Sequence, residues 1–362
     1  MIKPRKKTRI VTIGTVAIGG DNPIAIQSMT NTYTGDIPKT VKQIKRLEQV
    51  GCELVRVAVP DTPSLEALKT IKKQISIPLI ADIHFRPEYA LVALKNGIDK
   101  IRLNPGTLSP SPVLDDVIKA AMDTNTPIRL GINAGSIPKD ILKTYKKPTD
   151  EALLKSIARF IEFFLERDFE NLVVSLKSFD IETTVNSYKM FSEDYDFPVH
   201  VGITESGPVP HGIVRSALGI GQVLQEGIGD TIRVSLTAPP EEEVIVGYEI
   251  LQALKIRRSG PVIISCPTCA RTSWDVIKTV KSVQKKIKTM SVPLKIAIMG
   301  CEVNGPGEAR IADIGITAGR GRYAMLFKKG KIVKKVPKDK IIDTLLDEIL
   351  TYDMEWKNKK RL

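Results

Sequence analysis

The sequence predicts an α/β protein in which an N-terminal (β/α)8 TIM-type barrel is followed by a smaller α+β domain. Three observations support this prediction. Short apolar runs recur eight times between residues 24 and 237, segments with helical spacing of apolar residues separate them, and three cysteines follow near the C-terminus. With 362 residues, the chain is long enough for a large core and a second unit.

The eight apolar runs are typical of buried strands. They begin near Ile24, Leu54, Pro78, Lys100, Pro127, Asn171, Val199 and Thr231. Helix-compatible segments between them include residues 62–75, 87–97 and 151–168. Alternating strands and helices indicate a parallel sheet, and eight such units indicate a closed barrel. The alternative is an open doubly wound sheet, but that fold would require a glycine-rich phosphate loop after the first strand, and IQSMTNT is not one.

The domain boundaries follow from these elements. We expect a barrel over residues 1–238, a linker over 239–258 and a second domain over 259–362. The basic N-terminal segment is expected to form a β-hairpin, because alternating Thr and Gly interrupt the apolar run that a signal peptide needs. No apolar run is long enough to span a bilayer, and the four cysteines form no evident disulfide framework. We therefore expect a cytoplasmic protein without membrane association.

Four predicted strands carry an arginine between branched aliphatic residues, namely Arg56, Arg102, Arg129 and Arg233. A buried guanidinium group needs a carboxylate or a bound anion as its partner. Strand alternation places further polar residues near the C-terminal strand ends, where barrel active sites are built: Asp82, His84, Asn104, Asn133, Ser175 and Lys177. Converging cations at one barrel mouth suit a phosphorylated ligand. The alternative is a set of internal salt bridges.

Two further residues at the predicted mouth are candidates for contact with a ligand. His84, beside Asp82 and among cations, is predicted to touch the ligand and not to have a purely structural role. Glu205 follows the seventh strand in VGITESG and places a carboxylate in the same cationic region. It could donate a proton or merely balance charge.

The C-terminal part carries Cys266 and Cys269 in SCPTCART, then Cys301 and Glu308 in MGCEVNGPGEA. Thiolates are soft ligands suited to zinc or iron-sulfur centres. Cys301 follows the apolar run 294–299, so a neighbouring strand can bring it beside the first pair. The glycines around Pro306 predict a tight turn that would present Glu308 as an exchangeable oxygen ligand.

The spacing of these residues leaves several kinds of site open. A closed zinc site would need a fourth Cys or His, and none lies nearby. A thioredoxin-like redox pair would leave Cys301 unexplained, and Glu308 could be a solvated loop acid. Cys52 is expected to be a small buried residue and not a ligand. A three-cysteine cluster with an open or carboxylate-held fourth iron accounts for all four residues.

Together with IQSMTNT, ADIHF, IRLNPG, LGINAGS, SLKS and GITESG, these motifs resemble the 4-hydroxy-3-methylbut-2-enyl diphosphate synthases of the non-mevalonate (MEP) isoprenoid pathway. The resemblance covers most of the chain. It implies a 4Fe-4S oxidoreductase that opens 2-C-methyl-D-erythritol 2,4-cyclodiphosphate with two electrons and loss of water. It further implies ferredoxin or flavodoxin as electron donor and a head-to-tail homodimer, in which one chain's cluster domain covers the other chain's barrel mouth.

The resemblance also implies roles for individual residues. Cys266, Cys269 and Cys301 would hold three irons, and Glu308 would hold the fourth until substrate displaces it. Residues at the substrate would be Arg56, Asp82, His84, Arg102, Arg129, Asn133, Lys177 and Ser235. Glu205 and Asn304 would lie near the reacting carbon and oxygen. The sequence departs from the family pattern at Thr107, where an asparagine is expected, and at Glu302, where an apolar residue is expected.

The chain has a net charge of +13, which bears on its partners. Aromatic residues make up 5% and the lysines are scattered or in tails, so stacking platforms for bases are not evident and we expect no nucleic-acid partner. A basic surface on the C-terminal domain could steer an acidic ferredoxin or flavodoxin; it comprises Lys328, Lys329, Lys331, Lys334 and Lys335. The alternative functions are a zinc-dependent barrel enzyme acting on a sugar phosphate and a cluster-bearing nucleic-acid regulator.

Overall fold

The structure, a computed structural model, describes residues 2–258, 260–287, 290, 292–319 and 321–361. The strands are β1 Val11–Ile13, β2 Val16–Ile18, β3 Ala25–Met29, β4 Leu54–Ala58, β5 Leu79–Ile83, β6 Lys100–Leu103, β7 Ile128–Asn133, β8 Leu172–Lys177, β9 His200–Val201, β10 Thr231–Ile232, β11 Val262–Ser265, β12 Lys295–Met299, β13 Ile314–Ala318, β14 Tyr323–Lys328 and β15 Lys331–Pro337. The helices are α1 Ile37–Gln49, α2 Thr62–Lys72, α3 Glu88–Lys95, α4 Pro112–Asp123, α5 Lys139–Tyr145, α6 Asp150–Leu165, α7 Ile181–Asp194, α8 His211–Gln225, α9 Pro240–Ala253, α10 Val276–Ile287, α11 Gly305–Arg310 and α12 Ile341–Arg361. The chain divides into two compact units, Met1–Arg257 and Arg258–Leu362.

The first unit is a parallel eight-stranded barrel. Its strands follow the order β8-β7-β6-β5-β4-β3-β10-β9, and a bridge between Val174 and Val199 brings β8 to the start of β9, so the sheet is nearly closed. All eight predicted strands lie in this barrel, which confirms the predicted fold class. The open doubly wound alternative is therefore wrong.

Local sequence explains where the barrel helices begin. The side chains of Asp36, Asp61, Ser111, Thr149 and Asp180 accept hydrogen bonds from first-turn backbone N–H groups of α1, α2, α4, α6 and α7. Such caps satisfy N–H groups that have no partner within the helix, and each stabilises its helix by about 1 kcal/mol.

The N-terminal end of the barrel is plugged by the β1–β2 hairpin. Its side chains Val11, Ile13 and Ile18 pack against the lowest inward-facing residues of the barrel, which include Leu54 and Ile80. The predicted hairpin is confirmed, and its apolar side chains fill this end of the barrel.

The segment 239–258, which we expected to be a linker, forms α9 instead. Val244 and Leu251 of this helix are fully buried in the barrel core. The helix packs on β3 and completes the alternation of strands and helices. The sequence-based boundary at residue 238 therefore cut the barrel before its last helix. Within the described residues, no helix has the length and apolar composition needed to cross a membrane.

The second unit contains a separate mixed sheet in the order β11-β12-β13-β14-β15. The first three strands are parallel, and β14 and β15 continue antiparallel. One core of this unit combines sheet residues with residues of α10 and α12, among them Val283, Ile298, Leu326 and Leu345. The short helix α11 packs through Ala309 against a second apolar cluster that includes Ala297 and Phe327.

Candidate active site

A cavity of ≈ 240 Å³ lies at the C-terminal ends of the barrel strands. Its lining is polar and mostly cationic: Arg56, Asp82, His84, Arg102, Arg129, Asn133, Ser175, Lys177, Thr204, Arg233 and Ser235. Eight of the nine residues that the sequence analysis assigned to the substrate lie in this lining, and the ninth, Asn304, belongs to the second unit.

Strand register explains why the charges converge. Asp82 on β5 lies opposite Arg102 on β6, and Arg102 lies opposite Arg129 on β7. Two glycines leave room for the polar ends of these side chains. A Cβ at Gly131 would come within 2.7 Å of Ser175 Oγ and 3.1 Å of Arg102 Nε. A Cβ at Gly202 would likewise come within 2.7 Å of Lys177 Nζ.

Asp82 is the carboxylate that organises one side of the cavity. Its Oδ1 accepts a hydrogen bond from Arg102 Nη1 at 3.0 Å, and its Oδ2 lies 3.7 Å from Arg56 Nε. Burial alone would raise the pKa of Asp82, but Arg56, Arg102 and His84 together hold it well below its usual range. Asp82 is therefore a permanent anion that fixes the two arginines.

Arg129 and Lys177 lie on the other side of the cavity without such a partner. They are 1% and 8% exposed, and no carboxylate of the described residues lies within 4.0 Å of either charged group. Arg129 Nε and Nη1 also have no hydrogen-bond partner in that part of the chain. Burial lowers the pKa of both groups, and the neighbouring cations lower it further. Arg129 thus carries buried positive charge that an anion would neutralise, and an anion beside Lys177 would favour its protonated form.

Arg233 and Arg56 differ from these two cations. Arg233 is paired with Glu243 of α9, with Nε and Nη2 3.2 and 3.3 Å from the carboxylate oxygens. Arg56 donates to Met29 Sδ at 2.9 Å, and burial lowers its pKa to about 10. The internal salt bridges considered as an alternative therefore exist, but they account for only part of the positive charge. Sequence reasoning missed Glu243 because its segment was assigned to the linker.

The ring of His84 is held from both sides. Thr107 Oγ1 lies 3.3 Å from Nδ1, and Arg102 Nη1 contacts Nε2. The next residue, Phe85, has a left-handed backbone with φ of 60°. Thr107, one of the two departures from the family pattern, therefore contacts a residue of the cavity wall.

Four other predicted residues have different surroundings. Asn133 and Ser235 line the cavity, whereas Glu205 is exposed and follows the lining residue Thr204. Glu205 has φ of 54°, a conformation that costs about 1 kcal/mol or more for a residue with a side chain. Asn104 is turned away from the cavity, where its side chain bonds to Ser136 and to the backbone of Gly106.

Below the cavity, the barrel interior holds two titratable side chains that the sequence analysis did not select. Lys100 and His200 are fully buried, and neither Lys100 Nζ nor His200 Nε2 has a hydrogen-bond partner in the described part of the chain. Lys100 shares the inward face of β6 with Arg102, so strand alternation was the signal that could have identified it.

In the second unit, parallel pairing of β11 and β12 brings two cysteine segments to the same end of the sheet. Cys266 Sγ accepts a hydrogen bond from the backbone N–H of Gly300 at 3.3 Å, directly before Cys301. This confirms that Cys301 returns on a strand adjacent to the one that ends beside Cys266. Cys269 is exposed, and its N–H donates to Thr272 Oγ1 at 3.0 Å.

The Gly-Pro-Gly segment forms the start of α11 and not the tight turn that we predicted. Pro306 occupies the first turn of the helix, where a missing N–H costs nothing. Close packing requires the preceding glycine, because a Cβ on Gly305 would come within 1.8 Å of Thr317 Oγ1. Glu308 is half-buried on this helix, and Asn304 is exposed at its N-terminus.

The structure does not bring the four proposed metal ligands together. Across the described residues, no group of three or more His, Cys, Asp or Glu side chains is placed to hold a metal ion. Cys52 belongs to the first unit, where it is buried in the barrel core, and burial raises the pKa of its thiol to about 12. The prediction that Cys52 is a core residue is confirmed.

Comparison with known proteins connects both units to one family. Residues 8–248 match the family model described as GcpE TIM-barrel domain, and residues 262–351 match the one described as GcpE protein C-terminal domain. The chain is 50% identical over 349 residues to the 4-hydroxy-3-methylbut-2-en-1-yl diphosphate synthase (flavodoxin) of Thermodesulfovibrio yellowstonii, covering 96% of this chain and 99% of that protein. It is 52% identical over 342 residues to the synthase of the same name from Caldicellulosiruptor saccharolyticus, covering 94% and 98%.

Among solved structures, the N-acetylneuraminic acid synthetase of Leptospira borgpetersenii is similar with a TM-score of 0.50 and 12% identity, covering 69% of this chain and 91% of that one. At this identity the similarity concerns the fold alone.

Proposed function

This chain belongs to the GcpE family, and on that premise we propose that it converts 2-C-methyl-D-erythritol 2,4-cyclodiphosphate to 4-hydroxy-3-methylbut-2-enyl diphosphate in isoprenoid biosynthesis. The reaction breaks the ring C–O bond, consumes two electrons and one proton, leaves one additional negative charge on the diphosphate, and releases the hydroxyl oxygen as water. The relatives are named as flavodoxin enzymes, and we assign a reduced flavodoxin as the donor. The single observation that carries this proposal is the buried, uncompensated positive charge of the barrel cavity.

The cations suit both the negative charge of the bound diphosphate and the additional negative charge that develops during the reaction. Arg129 and Lys177 have no carboxylate partner among the described residues, so a diphosphate can take that place. Cleavage of the ring C–O bond leaves additional negative charge on the released phosphate. Fixed cations in a buried site stabilise such developing charge more than they stabilise the bound reactant, which lowers the barrier.

The remaining lining residues would orient the substrate. Asp82 holds Arg102 and Arg56 in place, and Thr107 holds the ring of His84. Asn133 and Ser235 would donate hydrogen bonds to phosphate or hydroxyl oxygens. Glu205, at the mouth, would supply the proton that the departing hydroxyl needs to leave as water.

We further propose that Cys266, Cys269, Cys301 and Glu308 hold a 4Fe-4S cluster, which supplies electrons to the substrate when bound. Two features of the chain fit this assignment. The donor set of three thiols and one carboxylate is the chemistry that such a cluster takes, and the sulfur of Cys266 already accepts a backbone N–H bond of the kind that stabilises a thiolate. Asn304, at the start of α11, would lie beside the reacting oxygen.

The family resemblance also leads us to propose a head-to-tail homodimer in which each site combines two chains. Mixing Arg129→Met and Cys269→Ser variants tests this arrangement, because each variant alone lacks one half of every site. Mixed dimers that carry one complete site should recover part of the activity. Activity that stays absent in a mixture shown to exchange subunits would contradict shared sites.

The function itself is tested by turnover. Protein purified and reconstituted without oxygen should convert the cyclodiphosphate to the linear alkenyl diphosphate when reduced flavodoxin is supplied, with two electrons consumed per product. A colourless protein that contains zinc and gives no product would contradict the proposal.

A further inference from the structure

Two groups of lysines in the second unit, one on α10 and one on and between β14 and β15, lie at different distances from the cysteines. Cys266 and Cys301 lie just past the C-terminal ends of β11 and β12, which therefore define a cysteine end of the sheet. Lys328 pairs with Ile314, the first residue of β13, and so lies at the opposite end. At about 3.3 Å per residue, the four-residue step to Ala318 separates the two ends by about 13 Å.

The lysines of β15 are also distant from the cysteines. Lys334 and Lys335 pair with the middle of β14, nearer the cysteine end, but β15 is the edge strand three places from β12. At about 4.8 Å per strand this is a displacement of about 14 Å. The basic surface that the sequence suggested as a steering site is therefore far from the residues it would serve.

Helix α10, in contrast, begins close to the cysteine end of the sheet. A Cβ on Gly300 would come within 2.7 Å of Thr272 and Val276 side chains, and the N–H of Ser273 donates to Gly300 O at 2.9 Å. The first turn of α10 is therefore packed on the segment that leads into Cys301. Lys278 lies within this first turn.

One face of α10 carries exposed lysines along its length. Lys278, Lys281 and Lys285 follow the spacing that places residues on one helix face, and together with Asp275, Ile277 and Ser282 they line a shallow groove. At 1.5 Å per residue the three lysines extend over about 10 Å. No carboxylate of the described residues lies within 4.0 Å of their ammonium groups. Ile277, 56% exposed, adds an apolar centre to the cationic groove.

We propose that this α10 groove, defined by Lys278, Lys281 and Lys285, is the docking surface for the flavodoxin-type electron donor. The inference rests on the proposed function, which requires a donor at the cysteine end. The groove fits a partner whose cofactor edge is apolar and surrounded by carboxylates, because charge would steer the encounter while Ile277 provides the apolar contact. Docking there brings the donor beside the loop of Cys269 and the segment before Cys301.

Charge reversal tests the assignment, with a matched control on the same unit. The α10 variant carries Lys278→Glu, Lys281→Glu and Lys285→Glu, and the control variant carries Lys331→Glu, Lys334→Glu and Lys335→Glu, which change the net charge equally. Affinity for oxidised flavodoxin, measured by calorimetric titration, should fall at least about tenfold in the α10 variant and much less in the control. Turnover with reduced flavodoxin should fall in parallel.

A small-molecule electron donor distinguishes a loss of flavodoxin docking from a loss of catalysis. Reduced methyl viologen needs no protein surface, so both variants should turn over with it as the unmodified protein does. Equal loss of flavodoxin affinity in the two variants, or retained affinity in the α10 variant, would overturn the proposal. If the unmodified protein gives no product with methyl viologen, the proposed function fails, whereas the titration still reports on docking.

Discussion

Arg102 and Arg129 lie directly opposite each other on β6 and β7, yet Asp82 pairs with Arg102 at 3.0 Å while Arg129 has no carboxylate within 4.0 Å in the described part of the chain. The two arginines point into one cavity. The cavity therefore contains two kinds of cation: one paired with a carboxylate of the protein, and one without such a partner that an anionic ligand would neutralise. This difference also gives the two residues opposite expected effects on stability.

Arg102→Met should destabilise the ligand-free protein. The substitution removes the 3.0 Å bond to Asp82 and leaves that buried carboxylate with Arg56 at 3.7 Å and His84 at 3.5 Å. Loss of a charged hydrogen bond at a buried site costs about 1–3 kcal/mol. The free energy of unfolding from denaturant titration measures this loss. An increase in stability would mean that repulsion among the cations outweighs the Asp82 contact.

Lys100→Met should stabilise the protein in a pH-dependent way. Burial, with Arg129 and Arg56, lowers the pKa of Lys100 well below its ordinary value of 10.5. The unfolded chain therefore binds a proton that the folded protein excludes, and the stability of the unmodified protein rises with pH through the window below 10.5 by up to about 1.4 kcal/mol per pH unit. The advantage of the Met variant should be larger at pH 7 than at pH 10.

Lys119→Met provides the control for this measurement, because it replaces the same type of side chain at an exposed position of α4. Denaturant titrations across the pH range would settle the point. A Lys100→Met protein that is less stable at neutral pH would show that the ammonium group has a favourable partner inside the barrel.

Cys269→Ser should lower the iron content of anaerobically reconstituted protein and abolish turnover. A serine hydroxyl is a poorly acidic, hard ligand that cannot replace a soft thiolate. Cys52→Ser is the matched control, because Cys52 is buried in the barrel core and donates to Leu54 O. That variant should lose some stability but retain iron and activity. Iron loss from both variants alike would point to a folding defect.

Glu308→Gln should have a milder effect than the cysteine substitution. An amide oxygen is a weak neutral ligand, but the three thiols remain. We expect iron to be incorporated, then lost faster in air, with lower turnover. Absorbance of the oxidised protein followed over time measures this loss. If substrate-free spectra and the rate of loss match those of the unmodified protein, Glu308 is a solvated acid of α11.

Strands and cysteine placement could be predicted from the sequence because each has a local signature. Parallel strands buried on both faces appear in the sequence as continuous apolar runs. When two parallel strands pair, their C-terminal ends lie at the same edge of the sheet, which brings the cysteines that follow them close together. The Glu243–Arg233 pair could not be recognised in this way, because it depends on how α9 packs against the barrel. The Gly-Pro-Gly start of α11 was ambiguous, since proline and glycine serve both turns and helix beginnings.

The most direct measurement is the melting temperature of the unmodified protein and of Arg129→Met, each with and without the cyclodiphosphate. We predict that Arg129→Met raises the melting temperature of the ligand-free protein, because an unpartnered buried charge is removed. It should reduce the ligand-induced increase, corresponding to about 2–4 kcal/mol of lost binding. A lower ligand-free melting temperature with an undiminished ligand-induced increase would contradict the assignment of this cavity to the diphosphate.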